Sequence, residues 1–183
     1  MRKAQTGSIV AFEALVKKYD KQVLSLAYSL VNHTQDAEDV FQEVFVRVYK
    51  NLPMFKFRSQ FSTWLYRVVV NYCINHNRRT KRHKQYSLNG SSEDQSDFWT
   101  MTLKGHEIDP EDAILNAELS YEINAALQQL SEQQKTVFVL RHYHGHKLRE
   151  IAQIMRCSEG TVKNYLFRAT RKLQKLLYAY AQS

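Results

Sequence analysis

Glycine and proline are scarce in this chain of 183 residues, with five and two respectively. That scarcity argues against a turn-rich β architecture, whose tight connections draw on both residue types. Only two cysteines occur, Cys73 and Cys157, far apart in sequence, so neither a disulfide framework nor a paired-cysteine zinc site is expected. No apolar run approaches the ~20 residues needed to cross a bilayer. The opening "MRKAQTGSIVAFEALV" also lacks the uninterrupted apolar stretch of a signal peptide. The expectation is a soluble, cytoplasmic protein in a reducing compartment.

Charge is plentiful and unevenly placed. The net charge of +8 favours an anionic partner, and its distribution says more than its sum. Residues 1–84 hold 15 Lys/Arg against 6 Asp/Glu, residues 85–134 hold one against 10, and residues 135–183 hold 10 against two. A basic, acidic, basic order predicts two polyanion-binding modules joined by a segment that polyanions repel.

Val and Ile recur mostly at helical rather than alternating spacing, which predicts an all-α chain. One helix begins near Ser8 and carries Phe12, Leu15, Val16, Tyr19, Val23, Leu26, Ala27 and Leu30 inward. A second is expected behind Thr34 as N-cap, burying Ala37, Val40, Phe41, Val44, Phe45 and Val48 and ending at Pro53. Its polar side gathers Asp39, Gln42 and Glu43. From Gln85 to His106 the chain is Ser- and Asp-rich without sustained period and is read as a flexible linker. Structure is expected to resume at "DPED", with Asp109 as cap, Pro110 at the first helical position and Asp112 reaching back. That helix carries Leu119, Ile123, Ala126, Leu127 and Leu130 inward. Ser131 and Gln134 form a capping box for the next one. The predicted division is 1–84, linker 85–108, and 109–183.

The C-terminal module reads as a helix-turn-helix. "LREIAQIM", residues 148–155, is a short amphipathic helix, "RCS" a turn, and "EGTVKNYLFRATRKLQKLL" a long helix capped by Ser158. On the long helix Val162, Leu166, Ala169, Leu173 and Leu176 share one sector. Lys163, Asn164, Phe167, Arg168, Arg171, Gln174 and Lys175 share the opposite one, with no acid among them. A merely solvated helix would mix signs to form pairs at i, i+4. Lys163 and Arg168 could bond guanine edges, Asn164 could read adenine and Phe167 could touch a thymine methyl. Arg171, Lys172 and Lys175 suit phosphates, which fix register without reading sequence. His142, His144 and His146 in "RHYHGHK" sit two apart, a spacing that suits a strand, and no metal is expected there.

The stretch "FRSQFSTWLYRVVVNYCINHNRR", residues 57–79, mixes rings with cations. Trp64, Leu65, Val68, Val69 and Tyr72 read as core. Phe57, Arg58, Gln60, Phe61, Ser62 and Thr63 are expected to be exposed, and the helix ends in Arg78, Arg79, Lys81, Arg82 and Lys84. Rings interleaved with cations and amides suit single-stranded nucleic acid, because bases stack on the rings while the backbone follows positive charge.

At this point the chain resembles bacterial RNA polymerase sigma factors of the extracytoplasmic-function (ECF) group. The segments that carry the resemblance are "DAEDVFQEVFVRVYKNLPMFKFRSQFSTWLYRVVVNYCINHNRR" and "LSEQQKTVFVLRHYHGHKLREIAQIMRCSEGTVKNYLFRATRKL". The resemblance implies region 2 and region 4 domains, and an alternative rather than housekeeping role. It places Asp39, Gln42 and Glu43 on core RNA polymerase. It assigns Phe57, Arg58, Ser59, Gln60, Phe61, Ser62, Trp64, Arg67, Asn71, Arg78 and Arg79 to melting and capturing the minus-10 element. It assigns Thr161, Lys163, Asn164, Phe167, Arg168, Arg171 and Lys175 to the minus-35 duplex. It also implies an anti-sigma factor as partner and a linker in the nascent-RNA channel.

Two positions depart from the family pattern. Lys147 stands where Ser or Thr commonly caps the first helix of the motif, and Arg156 stands at a turn position where Gly is common, so a left-handed backbone there would be strained. The competing reading is a stand-alone helix-turn-helix regulator, which leaves the aromatic loop and the Asp39 cluster unused. An enzyme is not expected, since no paired carboxylates near a His and no nucleophile with its base can be found, and no cofactor is called for.

Overall fold

The structure, a computed structural model, describes residues 1–86 and 110–180. Among these residues the regular elements are helical: α1 Arg2–Gln5, α2 Ile9–Val31, α3 Thr34–Asn51, a 3-10 turn Leu52–Met54, α4 Phe61–Tyr86, α5 Pro110–Gln128, α6 Glu132–His142, α7 Leu148–Met155 and α8 Glu159–Tyr180. The expected linker falls largely outside the described residues, as does the cap at Asp109.

Local chemistry sets the boundaries. The Ser8 hydroxyl accepts the Ala11 N–H at 3.4 Å and starts α2. Asn32 ends it in a left-handed conformation, φ 59°, its N–H bonded to the Tyr28 carbonyl. α3 starts one residue earlier than its sequence suggests. His33 Nδ1, not Thr34, accepts the Asp36 N–H at 3.4 Å, while the Thr34 hydroxyl pairs with that of Tyr28 at 3.2 Å. Pro53 then tightens the chain into the 3-10 turn. The capping box of α6 is formed, with both Ser131–Gln134 bonds at 3.3 Å.

α2, α3 and α4 pack as a bundle around Val23, Leu26, Leu30, Val40, Val44, Val48, Leu65, Val69 and Cys73, all 2% exposed or less. Each such aliphatic side chain contributes about 1.5–3 kcal/mol by leaving water. α1 was not foreseen: four residues are too few to show a period. It is fixed by the Gln5 side-chain amide, which donates to the Phe55 carbonyl at 2.8 Å. Leu119, expected inward on α5, is instead exposed at 47%, although Ala126, two turns further on the same face, is buried.

The C-terminal helices do not stand apart. α5 packs on α8 through Ala126, Leu127, Leu130, Ala169 and Leu173, while Val137, Leu140, Ile151, Ile154 and Val162 join the same continuous core as Leu65 and Val69. α7 lies against α4, and α6 reaches both α2 and α4. In that seam the buried Lys135 ammonium donates to the Leu30 carbonyl at 2.7 Å. Leu30 lies in the last turn of α2, where carbonyls lack intrahelical partners and a cation is favoured.

Burial nevertheless pulls the Lys135 pKa down to about 8. Its penalty for charging is present in full below pH 8 and is relieved as pH rises toward the unfolded value of 10.5. Burial pushes Cys73 and Tyr143 up to about 12, and they act in the opposite sense above pH 9 and 10. Thermal stability is therefore expected to rise by about 1 kcal/mol between pH 8 and 9. Lys135→Met should abolish the rise in melting curves taken across that range, and a rise that survives the substitution would remove Lys135 as its source.

Candidate nucleic-acid and polymerase interfaces

The recognition helix α8 divides as its sequence suggests. Val162, Ala169 and Leu173 are buried, and Lys163, Asn164, Phe167, Arg168, Arg171, Gln174 and Lys175 are all exposed. The Arg171 guanidinium lies 5.5 Å from the centre of the Phe167 ring, so each restrains the other on the open face. Thr161 is half-buried in the cap: its N–H donates to Ser158 Oγ at 3.1 Å, and the two hydroxyls are 2.9 Å apart. Lys172, expected on phosphates, is exposed, and its ammonium donates to the Gln129 carbonyl at the end of α5.

The turn before α8 takes the strained form anticipated for it. Arg156 adopts φ 54°, ψ 47°, and the Cys157 N–H bonds to the Ala152 carbonyl at 3.0 Å. At the start of α7 the cap that Lys147 cannot supply is replaced from the other side, where Glu150 Oε2 accepts the Lys147 N–H at 2.9 Å. This bond, more than any other contact, holds the Glu150 carboxyl below its ordinary range.

The three alternating histidines face separate neighbours. The His142 ring lies 4.5 Å from that of Phe138, and His146 meets both Tyr66 and Glu150. His144 Nε2 is buried without a partner. Charging that ring would bury an N–H with no acceptor, and burial, helped by His146, lowers its pKa to about 4. The stability it contributes is complete above pH 6.5 and is lost as pH falls toward 4. His144→Leu should flatten that acid limb by about 2 kcal/mol in denaturant titrations. An unchanged limb would contradict this origin.

In the N-terminal bundle the loop before α4 is an aromatic platform. Phe55 is buried, with Phe57, Trp64 and Phe61 at ring distances of 5.0, 5.1 and 6.2 Å. Phe57 stands out from it at φ 53° and 49% exposed. Arg58 and Gln60 are exposed, and Ser59, Ser62 and Trp64 are half-buried. Phe61 and Thr63 correct the expectation of exposure, since both are buried at 9%. Phe61 is held by Phe55, Trp64 and Tyr19, the last at 5.4 Å, because α4 begins at Phe61 itself and its first turn faces the bundle.

Along α4, Asn71, Arg78 and Arg79 are exposed. Arg67 is not free: its Nη2 donates to the Gln153 carbonyl of α7 at 2.7 Å, and its Nε is buried without a partner. A cleft of about 290 Å³ lies between the loop and α7, lined by Ser59, Gln60, Ser62, Thr63 and Tyr66 on one side and His146, Glu150, Gln153 and Ile154 on the other.

The polar face of α3 exposes Asp39, Gln42 and Glu43, the last 3.5 Å from Arg47. Two residues that the sequence reading passed over, Val46 and Tyr49, are almost half exposed on or beside it. Val46 recurs three positions after Glu43, within the polar sector, so an apolar residue at a solvated register was the signal available.

Comparison with known proteins agrees with this arrangement. Family models for Sigma-70 region 2 and Sigma-70, region 4 match residues 15–83 and 120–173. The RNA polymerase sigma-H factor of Pseudomonas aeruginosa is 36% identical over 97% of this chain and 91% of that protein. The ECF RNA polymerase sigma factor SigW of Bacillus subtilis is 30% identical over 97% of this chain and 94% of that protein. A solved structure of the sigma factor RpoE from Bartonella quintana, in complex with the anti-sigma factor NepR, shares the fold. Its TM-score is 0.70 at 22% identity, over 93% of this chain and 98% of that one.

An all-helical chain that carries a region 2 bundle and a region 4 helix-turn-helix is a sigma-70-type initiation factor. Within that class the chain belongs to the ECF sigma factors. It acts as an alternative sigma factor that directs transcription initiation.

Proposed function

We propose that the two ends of this sigma factor hold one promoter in two states, paired upstream and strand-separated downstream. The unbroken cationic face of α8 carries the reading: seven polar, cationic or aromatic side chains are exposed without an acid among them. Arg168, Lys163 and Asn164 read base edges of the minus-35 duplex, Phe167 adds an apolar contact, and Arg171 and Lys175 hold phosphates. Thr161 supports this surface through the cap.

The loop from Phe57 to Ser62, with Trp64, Arg67 and Asn71, receives the melted minus-10 strand, and Arg78 and Arg79 follow its backbone. Phe61 serves that loop as its buried foundation. Asp39, Gln42 and Glu43 dock on the largest subunit of core polymerase, and the exposed Val46 and Tyr49 extend that surface with apolar area. Residues 1–84 and 109–183 act as the two grips, and the acidic stretch between them, 85–108, keeps clear of the template by charge. The protein works in the cytoplasm without catalytic chemistry of its own. The anti-sigma factor bound to the Bartonella relative supports an anti-sigma partner here.

Core polymerase supplemented with the chain should start transcription at a defined promoter of its own genome. Tight sequence-specific duplex binding with no start in the presence of polymerase would favour a stand-alone regulator instead.

A further inference from the structure

Residues 55–60, which carry the proposed minus-10 reader, lie between the 3-10 turn and α4 and belong to neither. Their backbone is bonded where it leaves the turn, Phe55 N–H to the Leu52 carbonyl at 3.0 Å, and where it enters α4, Trp64 N–H to the Gln60 carbonyl at 3.2 Å. Between those ends Phe57 stands at φ 53°. A left-handed backbone at a residue with a bulky side chain persists only where its surroundings fix it. The Phe55 ring, 5.0 Å from that of Phe57, supplies one constraint. Another comes from α1, 50 residues away in sequence.

The Gln5 side-chain amide donates to the Phe55 carbonyl at 2.8 Å and to the Pro53 carbonyl at 3.3 Å. One planar amide group thus spans the turn from which the loop departs, and it fixes the Phe55 peptide just before Phe57. α1 is a firm base for this brace. Ala4 is buried, and Met1 packs partly on the same core. The helix closes with two bonds, Ser8 N–H to the Lys3 carbonyl at 3.0 Å and Gly7 N–H to the Ala4 carbonyl at 3.2 Å, with Gly7 at φ 95°. This is the pattern in which a left-handed glycine ends a helix, and here it sets how α1 leans on α2. Beyond its chain neighbours, a Cβ at Gly7 would meet no atom within 4 Å, so a side chain there disturbs the turn through its backbone alone.

We propose that Gln5 is a positioning residue for capture of the melted strand: through the Phe55 carbonyl it holds the loop so that the Phe57 ring is presented to a base. It rests on the assignment of Phe57 to the minus-10 strand. Without the brace the loop samples other conformations, and capture weakens in proportion to the time the ring is misplaced. Duplex reading by α8 is untouched, since α1 packs on α2 and the 3-10 turn.

Gln5→Met is the first variant, because methionine keeps the length of the side chain and offers no donor. Amide hydrogen exchange on the full chain should show residues 56–60 exchanging about fivefold faster, while the amides of Leu65 and Val69 keep their protection. With reconstituted holoenzyme, fluorescence anisotropy should show a labelled minus-10 non-template strand bound about fivefold more weakly and the minus-35 duplex held within about twofold. Gly7→Ala should move both readouts in the same direction while leaving the amide in place. The sharpest comparison is the double variant. Gln5→Met added to Phe57→Ala should weaken the strand by no more than about twofold beyond Phe57→Ala alone, because a brace has nothing to position once the ring is gone.

Unchanged exchange in residues 56–60 would overturn the proposal, as would acceleration that extends equally to Leu65 and Val69. An equal loss for strand and duplex, or a Gln5→Met loss that adds in full to that of Phe57→Ala, would do the same. If Phe57→Ala leaves strand affinity at the wild-type level, the assignment of the minus-10 reader fails on its own. The brace is then judged by exchange alone, upheld by faster exchange confined to residues 56–60 and overturned by none.

Discussion

Arg168→Ala is expected to erase discrimination at a single base pair of the minus-35 duplex, at a cost of about 1–3 kcal/mol, while leaving the other positions as they were. The side chain is exposed on the middle of the acid-free face of α8, and the buried Ala169 beside it fixes how the helix presents it. The loss corresponds to roughly five- to 150-fold in affinity, read from competition between single-base variants of the duplex against the reconstituted holoenzyme. Lys175→Ala provides the contrast: a phosphate contact weakens all sequences alike and lowers the dependence of binding on salt. If the two substitutions behave alike, reading and gripping are not divided along α8 in this way.

A larger effect is expected inside the aromatic platform, and it separates two phenylalanines four residues apart. Phe61 is 9% exposed and packed by Phe55, Trp64 and Tyr19, so Phe61→Ala should cost about 3–5 kcal/mol of folding stability, measured by denaturant unfolding. Phe57 touches only the edge of this cluster and is half exposed. Phe57→Ala should leave folding stability within about 0.5 kcal/mol. It should weaken capture of the melted strand by about 1–3 kcal/mol, the contribution of one base stacked on one ring. A Phe61→Ala protein of native stability that has lost strand capture would reverse the two assignments.

Much of this was legible in the sequence because helices announce themselves by period and by caps. Ser131 and Ser158 cap where their positions suggest, α2 starts beside Ser8 as its period suggests, and the acid-free sector of α8 is the exposed one. Arg156 takes the left-handed turn that its place in the motif demands, at the expense of a residue with a side chain.

What was hidden is tertiary. The burial of Phe61 depends on α4 beginning at Phe61 itself, which extends the inward row of Leu65 and Val69 by one turn. Lys172 lies in the cationic stretch, and its bond to the Gln129 carbonyl is set by the approach of α5. His33 displaces Thr34 as cap through a side-chain geometry that composition does not encode. Least visible was the seam itself. Glu132, Asn77, Lys135 and Leu30 come from separate parts of the chain, and alternating blocks of charge suggest modules held apart, whereas their apolar faces share one core.

The most direct measurement is permanganate reactivity of thymines on a promoter from the protein's own genome, with holoenzyme reconstituted from core polymerase and this chain. Reactive thymines confined to the minus-10 element, with the minus-35 duplex protected yet unreactive, are the expected pattern, and Phe57→Ala should dim the reactivity without loss of upstream protection. A bound holoenzyme that protects the minus-35 duplex while every minus-10 thymine stays unreactive would contradict the claim that one end reads paired DNA and the other captures a separated strand.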